Sequence, residues 1–290
     1  MIRVGTAGWS YEDWNGVVYP ARPAKAFDRL AFQAALFDAS EINSTFYRIP
    51  APRQTRDWAR RVASNPRFSF TAKLWRGFTH ERDAGDADAE AFLAAMAPLQ
   101  EEGRLGAILV QFPISFHGGA GNRGLLEAIL KRFASLPLAV EFRGAEWDEK
   151  ETDDVLARHG AAFVNIDQPS LEGNLRATEH ETDNLAYFRF HGRNAAKWFG
   201  PDTSNEERYN YLYGSEELAP WTARIRKARA KNVFAILNNH FRGQAAANAL
   251  ELQHALTGAA LAVPETLREA YPALAAITRP SGGASQKRLF

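Results

Sequence analysis

With 290 residues, 46% of them hydrophobic and 24% charged, the chain has globular composition and enough apolar material for a large core. Lysine and arginine number 35 against 34 acidic residues, so the formal net charge is +1, which argues against a duplex nucleic-acid footprint, since domains of that kind are strongly basic. The absence of cysteine excludes a disulfide framework and a thiolate metal site.

Met1 to Thr6 reads directly as a strand, without the charged and apolar regions of a signal peptide. No apolar run approaches the length of about 18 residues that a membrane span needs. A soluble, cytoplasmic protein with no membrane partner is the expectation. Further strands are predicted at Ser40–Asn43, Phe68–Lys73, Ala107–Gln111, Leu138–Phe142, Ala162–Ile166, Ala186–His191 and Val233–Leu237, after a first one at Ile2–Ala7. Several are almost wholly apolar, as parallel strands covered on both faces are. Helical periodicity falls between most of them. Ala24–Phe37 places Phe27, Leu30, Ala34 and Phe37 on one stripe. Glu90–Leu99, Gly124–Phe133, Thr152–Arg158, Glu216–Lys231 and Gly243–Leu256 follow the same pattern. Eight strands alternating with helices predict an α/β fold, a single (β/α)8 TIM-like barrel over 1–279. Two stretches break the repeat. Asp167–Asn184 has only a weak helical pattern and predicts an irregular crossover after strand six. Gly192–Gly214 predicts a long loop after strand seven, ordered by Trp198, Phe199, Tyr209, Tyr211 and Tyr213. Residues 280–290 read as a flexible C-terminal tail.

The polar residues of this pattern gather at the strand ends. Glu41 and Asn43 close strand two, Lys73 strand three, Gln111 strand four, and Glu141 with Arg143 strand five. Asp167 follows strand six. Arg189, His191 and Arg193 end strand seven, and Asn238, Asn239 and His240 follow strand eight. In a parallel barrel these ends meet at one mouth, the face where barrel active sites lie. Period-two alternation puts Glu141 on the face of Arg143, where the two satisfy each other or serve a ligand, and Arg189 reads best as a structural partner. Lys73 is expected within ion-pair reach of Glu41 or Glu141, which keeps it protonated and disfavours Schiff-base chemistry unless desolvation wins. His80 either faces the mouth or is solvated, while His117, His159, His180 and His254 read as ordinary surface or helix residues.

The stretch Asn238–Gln244, with Gly243, leads from a strand into a helix. Free N–H groups there, with His191, Arg193 and Arg242, predict an anion between strands seven and eight, unless Arg193 pairs with Asp202 or Glu206. Gly118-Gly119-Ala120-Gly121 lacks P-loop and dinucleotide spacing and reads as a loop.

The motifs also carry a family resemblance. Gly5-Thr6-Ala7-Gly8-Trp9-Ser10-Tyr11 with Trp14, Tyr19 and Pro20 opens it, and Glu41-Ile42-Asn43-Ser44-Thr45-Phe46-Tyr47-Arg48-Ile49-Pro50 is highly specific. Gln111-Phe112-Pro113, Tyr187 to Asn194, and Asn238-Asn239-His240 followed by Gly243, Ala245, Asn248 and Ala249 complete it over nearly the whole chain. The sequence resembles the DUF72 (YecE-like) family. That resemblance implies a barrel with polar residues at its mouth and supplies no reaction. Ala7, Ile114 and Leu237 depart from residues usual in the family, and none of these changes removes a chemical group from the mouth.

Two function classes remain. The first is an enzyme on a small polar, phosphorylated or sugar-like substrate. Glu41, Lys73, Glu141 and His191 are its candidate catalytic groups, with Lys73, Arg143 and Arg193 neutralising negative charge and Trp9, Trp198 and Tyr211 stacking on a ring. Asn43, Gln111, Asp167, Asn238, Asn239, His240 and Arg242 complete the candidate ligand contacts. No cofactor motif appears. Within this class a divalent-metal, sugar-isomerase-like site from Glu141, Asp167 and His191 is one alternative, and glycoside hydrolysis by Glu41 and Glu141 is another. The remaining class is non-catalytic binding of a partner or of single-stranded nucleic acid through a local basic groove of Arg189, Arg193, Lys197 and Arg242.

Overall fold

Strands built from unbroken apolar runs need cover on both faces, and a barrel wrapped by helices provides it. A computed structural model describes residues 1–198 and 205–279. The predicted tail at 280–290, and with it Phe199 and Asp202, lie outside the described residues, as does the side chain of Glu206. Strands β1 (Ile2–Ala7), β2 (Ala39–Ile42), β3 (Ser69–Lys73), β4 (Leu105–Gln111), β5 (Leu138–Glu141), β6 (Ala161–Asp167), β7 (Leu185–Phe190) and β8 (Asn232–Leu237) pair in parallel in chain order. β8 returns to β1, with Val4 opposite Ala235 and Thr6 opposite Leu237, and so closes the barrel. The eight-strand TIM-like architecture read from the sequence is the one found.

The outer layer holds α1 (Arg29–Leu36), α2 (Pro52–Arg61), α3 (Asp86–Glu101), α4 (Ala120–Arg132), α5 (Lys150–Arg158), α6 (Ser215–Lys227), α7 (Gln244–Thr257) and α8 (Glu265–Ala270). The apolar stripe places the start of the first helix at Ala24, but the chain delays it to Arg29. Asp28 is the reason: its carboxylate accepts the N–H groups of Leu30 and Ala31 at 2.9 and 3.0 Å and is itself held by Arg61. The sequence pattern shows no helix between β2 and β3, because α2 is arginine-rich and buries only Thr55, Trp58 and Ala59. Pro52 in its first turn is the one signal for it.

The crossover from β6 to β7 contains no helix. Polar side chains fix it instead. Asn165 Oδ1 accepts from the Thr178 hydroxyl at 2.7 Å and the His180 N–H at 2.8 Å. His180, read from the sequence as an ordinary surface residue, is only 13% exposed, contacts Asp148 and Asp153 at 3.0 and 2.8 Å, and packs on Phe163. Lower in the barrel, Gly106 leaves room for Phe234; a Cβ there would lie 2.2 Å from the ring. Aromatic bulk thus fills the lower interior, and the charged residues are displaced to the C-terminal end. Among the described residues no helix is long and apolar enough to cross a membrane.

Candidate active site

At the C-terminal end of the barrel the first element is a buried arginine. Arg189 rises from β7 across the axis. Its Nη2 and Nε donate to Glu41 of β2 at 2.6 and 3.0 Å, and its Nη1 donates to Glu141 of β5 at 3.1 Å. Tyr187, one pleat below, donates its hydroxyl to Glu41 at 2.8 Å and meets Thr71 of β3 at 2.8 Å. Both glutamates are fully buried. Burial alone would push the Glu141 carboxyl up, but Arg143, 2.7 Å away, and Arg189 hold it well below the usual carboxylate range. His191 lies 3.3 Å from Glu141 and accepts from the Asn238 amide through Nδ1 at 3.1 Å, which assigns its proton to Nε2. Burial and then Arg143 lower its pKa to about 3, so it is neutral.

Above this floor opens a cavity of about 610 Å³, a volume typical of small-molecule sites. Arg189, Lys73, His80, Gln111, Tyr11, Asn43, Tyr209, Asn238 and His240 are among the residues that line it. Lys73 does not reach the glutamates. Among the described residues its ammonium makes no hydrogen bond or ion pair, and its Nζ sits 4.3 Å from the centre of the Phe46 ring. The expectation of a paired, protonated lysine is therefore corrected: Arg189 has taken both carboxylates. Burial, then Arg189, lowers the Lys73 pKa to about 7, with Glu41 and Glu141 opposing the shift. His80, on the short helical turn Gly77–Glu81, points its ring edge at Phe46 and bonds Thr79 through Nδ1 at 2.8 Å. Burial and neighbouring Lys73 lower its pKa to about 4.

This ordering of polar strand ends accompanies a family match. The profile of DUF72, "Protein of unknown function DUF72", covers residues 3–272. The chain belongs to the DUF72 family. The UPF0759 protein YunF of Bacillus subtilis (strain 168) is 29% identical over 269 residues, 87% of this chain and 93% of that protein. A DUF72 family protein of Thermotoga maritima MSB8 superposes with TM-score 0.78 at 38% identity, over 88% of this chain and 99% of the other. One from Enterococcus faecalis V583 does so with TM-score 0.78 at 31% identity, over 88% and 95%.

Several DUF72 residues named from the sequence take other places. Asp167 leaves the axis: its carboxylate accepts from Arg193 at 2.6 and 2.9 Å, from the Tyr213 hydroxyl at 2.7 Å and from the Trp221 indole at 2.7 Å. Glu141, Asp167 and His191 thus do not converge, and no group of three or more His, Asp or Glu among the described residues is placed to hold a metal ion. Arg193 also binds Glu217 at 3.0 Å, so it is committed to two described carboxylates, while Asp202 and the Glu206 side chain lie outside the described residues. Arg242 is exposed with φ +47°, held through its backbone N–H by Asp13 at 2.6 Å. The convergence of His191, Arg193 and Arg242 on an anion therefore does not occur among the described residues, and Arg189 and Arg193, two of the four members of the expected basic groove, are paired with carboxylates. Glu41 and Glu141, pinned under one guanidinium, are not free to act as a hydrolytic pair.

Trp9 packs on Trp58 and Phe70. Tyr211 donates its hydroxyl to Glu217 at 2.6 Å, and Asn239 donates its amide to the Tyr211 carbonyl and Asn248. These three order loops and do not line the main cavity. Trp198 stands over the Arg143 guanidinium at 5.9 Å and, with Gln168 and Tyr209, encloses a second recess of about 160 Å³ that shares Gln111 and Tyr209 with the first. The candidate set omits Tyr11, which stacks on His240 at 4.5 Å, as well as Phe46, Arg76 and Tyr209. Tyr11 and Phe46 stand inside quoted motifs, and Tyr209 is among the aromatics of the long loop; Arg76 carries no signal in the sequence.

Proposed function

We propose that the barrel mouth binds a small anionic metabolite and acts on it by proton transfer, with Lys73 and His80 as the exchanging groups. The observation that carries this reading is the Lys73 amine, unpaired among the described residues, on the wall of the 610 Å³ cavity. Charge supports it. Glu41 and Glu141 are matched by Arg189 and Arg143, so a protonated Lys73 is the excess charge. A phosphate or carboxylate entering the cavity stabilises that charge, so binding takes up a proton near neutrality. An amine with a pKa of about 7 is suited to acid/base exchange at physiological pH.

A thermal-shift screen tests the reading, because a ligand of the native state at 100 times its Kd adds about 2.7 kcal/mol. Inorganic phosphate, phosphorylated sugars and small carboxylates are expected to raise the melting temperature at pH 6.5, less so at pH 9, and to lose this effect in Lys73→Met. Stabilisation by neutral sugars or divalent metals alone overturns it.

A further inference from the structure

We infer that Lys73 is a covalent catalyst, its Nζ condensing with the carbonyl of an anionic aldehyde or ketone to form an iminium. This rests on the anionic-ligand reading above and goes beyond it by naming the substrate as a carbonyl compound.

The geometry comes first. An amine acts as a nucleophile only if its lone pair is free and a substrate can reach it. Lys73 ends β3, a rigid element, and its neighbour Thr45 anchors the backbone by donating its hydroxyl to the Lys73 carbonyl at 2.7 Å. The side chain lies along Phe46, and its amine reaches the cavity with no hydrogen bond or ion pair to any described residue. A lysine kept for charge alone would lie against Glu41 or Glu141, and here Arg189 occupies both. The charged and titratable groups facing the amine from neighbouring strands are those two glutamates, Arg189 and Arg143, with His80 also lining the cavity. Burial first, and then Arg189, bring the Lys73 pKa to about 7 against the pull of the two glutamates, so about half of the amine is neutral at pH 7.

The chemistry balances. The Nζ lone pair forms a bond to the carbonyl carbon, and the carbonyl π pair moves to oxygen, which takes a proton. Nitrogen releases one proton; the hydroxyl, protonated in turn, leaves as water. The net change is amine plus carbonyl plus one proton giving iminium plus water. His80 is placed to carry these protons: its imidazole is neutral, and its Nε2 makes no hydrogen bond with a described residue. The resulting cation draws electrons from the α carbon, so an α proton or an adjacent carbon–carbon bond can break with its pair entering an enamine.

Borohydride trapping decides the matter. The full chain at pH 7.5 is mixed separately with pyruvate, glyoxylate, dihydroxyacetone phosphate and glyceraldehyde 3-phosphate, reduced, and mapped by peptide mass spectrometry. A secondary-amine adduct on Lys73 well above that on exposed Lys150 is expected with at least one compound. It should rise with pH through 7 and be absent from Lys73→Arg. Stabilisation by phosphate without any Lys73 adduct, or adducts spread evenly over surface lysines, overturns the covalent step and leaves the anion site standing. Neither stabilisation nor adduct overturns both.

Discussion

Two charge clusters, one fully buried and one partly exposed, sit at the same end of this barrel and have opposite chemical character. Around Asp167 every group is saturated: one carboxylate receives Arg193, Tyr213 and Trp221, and Arg193 spends its remaining donors on Glu217. That cluster joins β6, the loop after β7 and α6, and it lies outside the barrel wall. On the axis, Arg189 saturates Glu41 and Glu141 in the same manner, but Lys73 beside them is left over. Saturation makes a joint, and an unsaturated group facing a cavity makes a site. Counting charges at strand ends does not separate the two; counting donors against acceptors does.

The largest effect should come from the axis. Arg189→Met leaves buried Glu41 without its guanidinium partner and Glu141 with Arg143 alone, a change expected to cost roughly 3–5 kcal/mol. A buried carboxylate stripped of its cation is costly in its charged form, so the loss should be smaller in acid than at neutral pH. Urea unfolding from pH 4 to 8 measures this, and a loss under about 1 kcal/mol would mean that the axial network does not hold the barrel mouth together.

Asp167→Ala should follow, orphaning a phenol and an indole and leaving Arg193 with Glu217 alone, at a cost on the order of 3 kcal/mol. Its distinguishing mark is that the phosphate-induced thermal shift persists in the protein that still folds. Loss of that shift with an intact fold would make the Asp167 cluster part of the site after all.

The smallest effect should have the opposite sign. Lys73 has a folded pKa of about 7, below its unfolded value. Unfolding therefore takes up a proton between about pH 7 and 10.4, and the lysine destabilises the fold most fully below pH 7. Lys73→Met should accordingly stabilise the protein by roughly 1–3 kcal/mol at pH 6 and by little at pH 10.5. A uniform effect across that range, or destabilisation at pH 6, removes the picture of a desolvated free amine. Stability gained by deleting a polar group from a cavity is the sign of a residue held for function.

How much of this is legible without coordinates differs by residue. Glu41, Lys73, Glu141 and Arg189 can be placed at the mouth because each ends an apolar run, and parallel strand ends share one face. Which carboxylate meets which cation is not legible. It depends on strand register, barrel closure and side-chain reach, and Arg189 is long enough to span the axis and exclude Lys73. Asp167 also ends its strand, yet its side chain belongs to the outer layer, a difference of facing set by the β6 register. Arg76 starts a single helical turn and Tyr209 follows a four-residue helix, elements too short for periodicity to carry information about direction.

By itself the sequence determined the number and order of the strands, the parallel barrel and the polarity of its C-terminal end, because apolar runs, their lengths and their flanking residues are local properties of the chain. The tertiary structure alone decided which of those polar residues are spent on each other and which remain free. Pairing among buried charges is a matter of distance and desolvation across residues 148 positions apart in the chain, as Arg189 and Glu41 are.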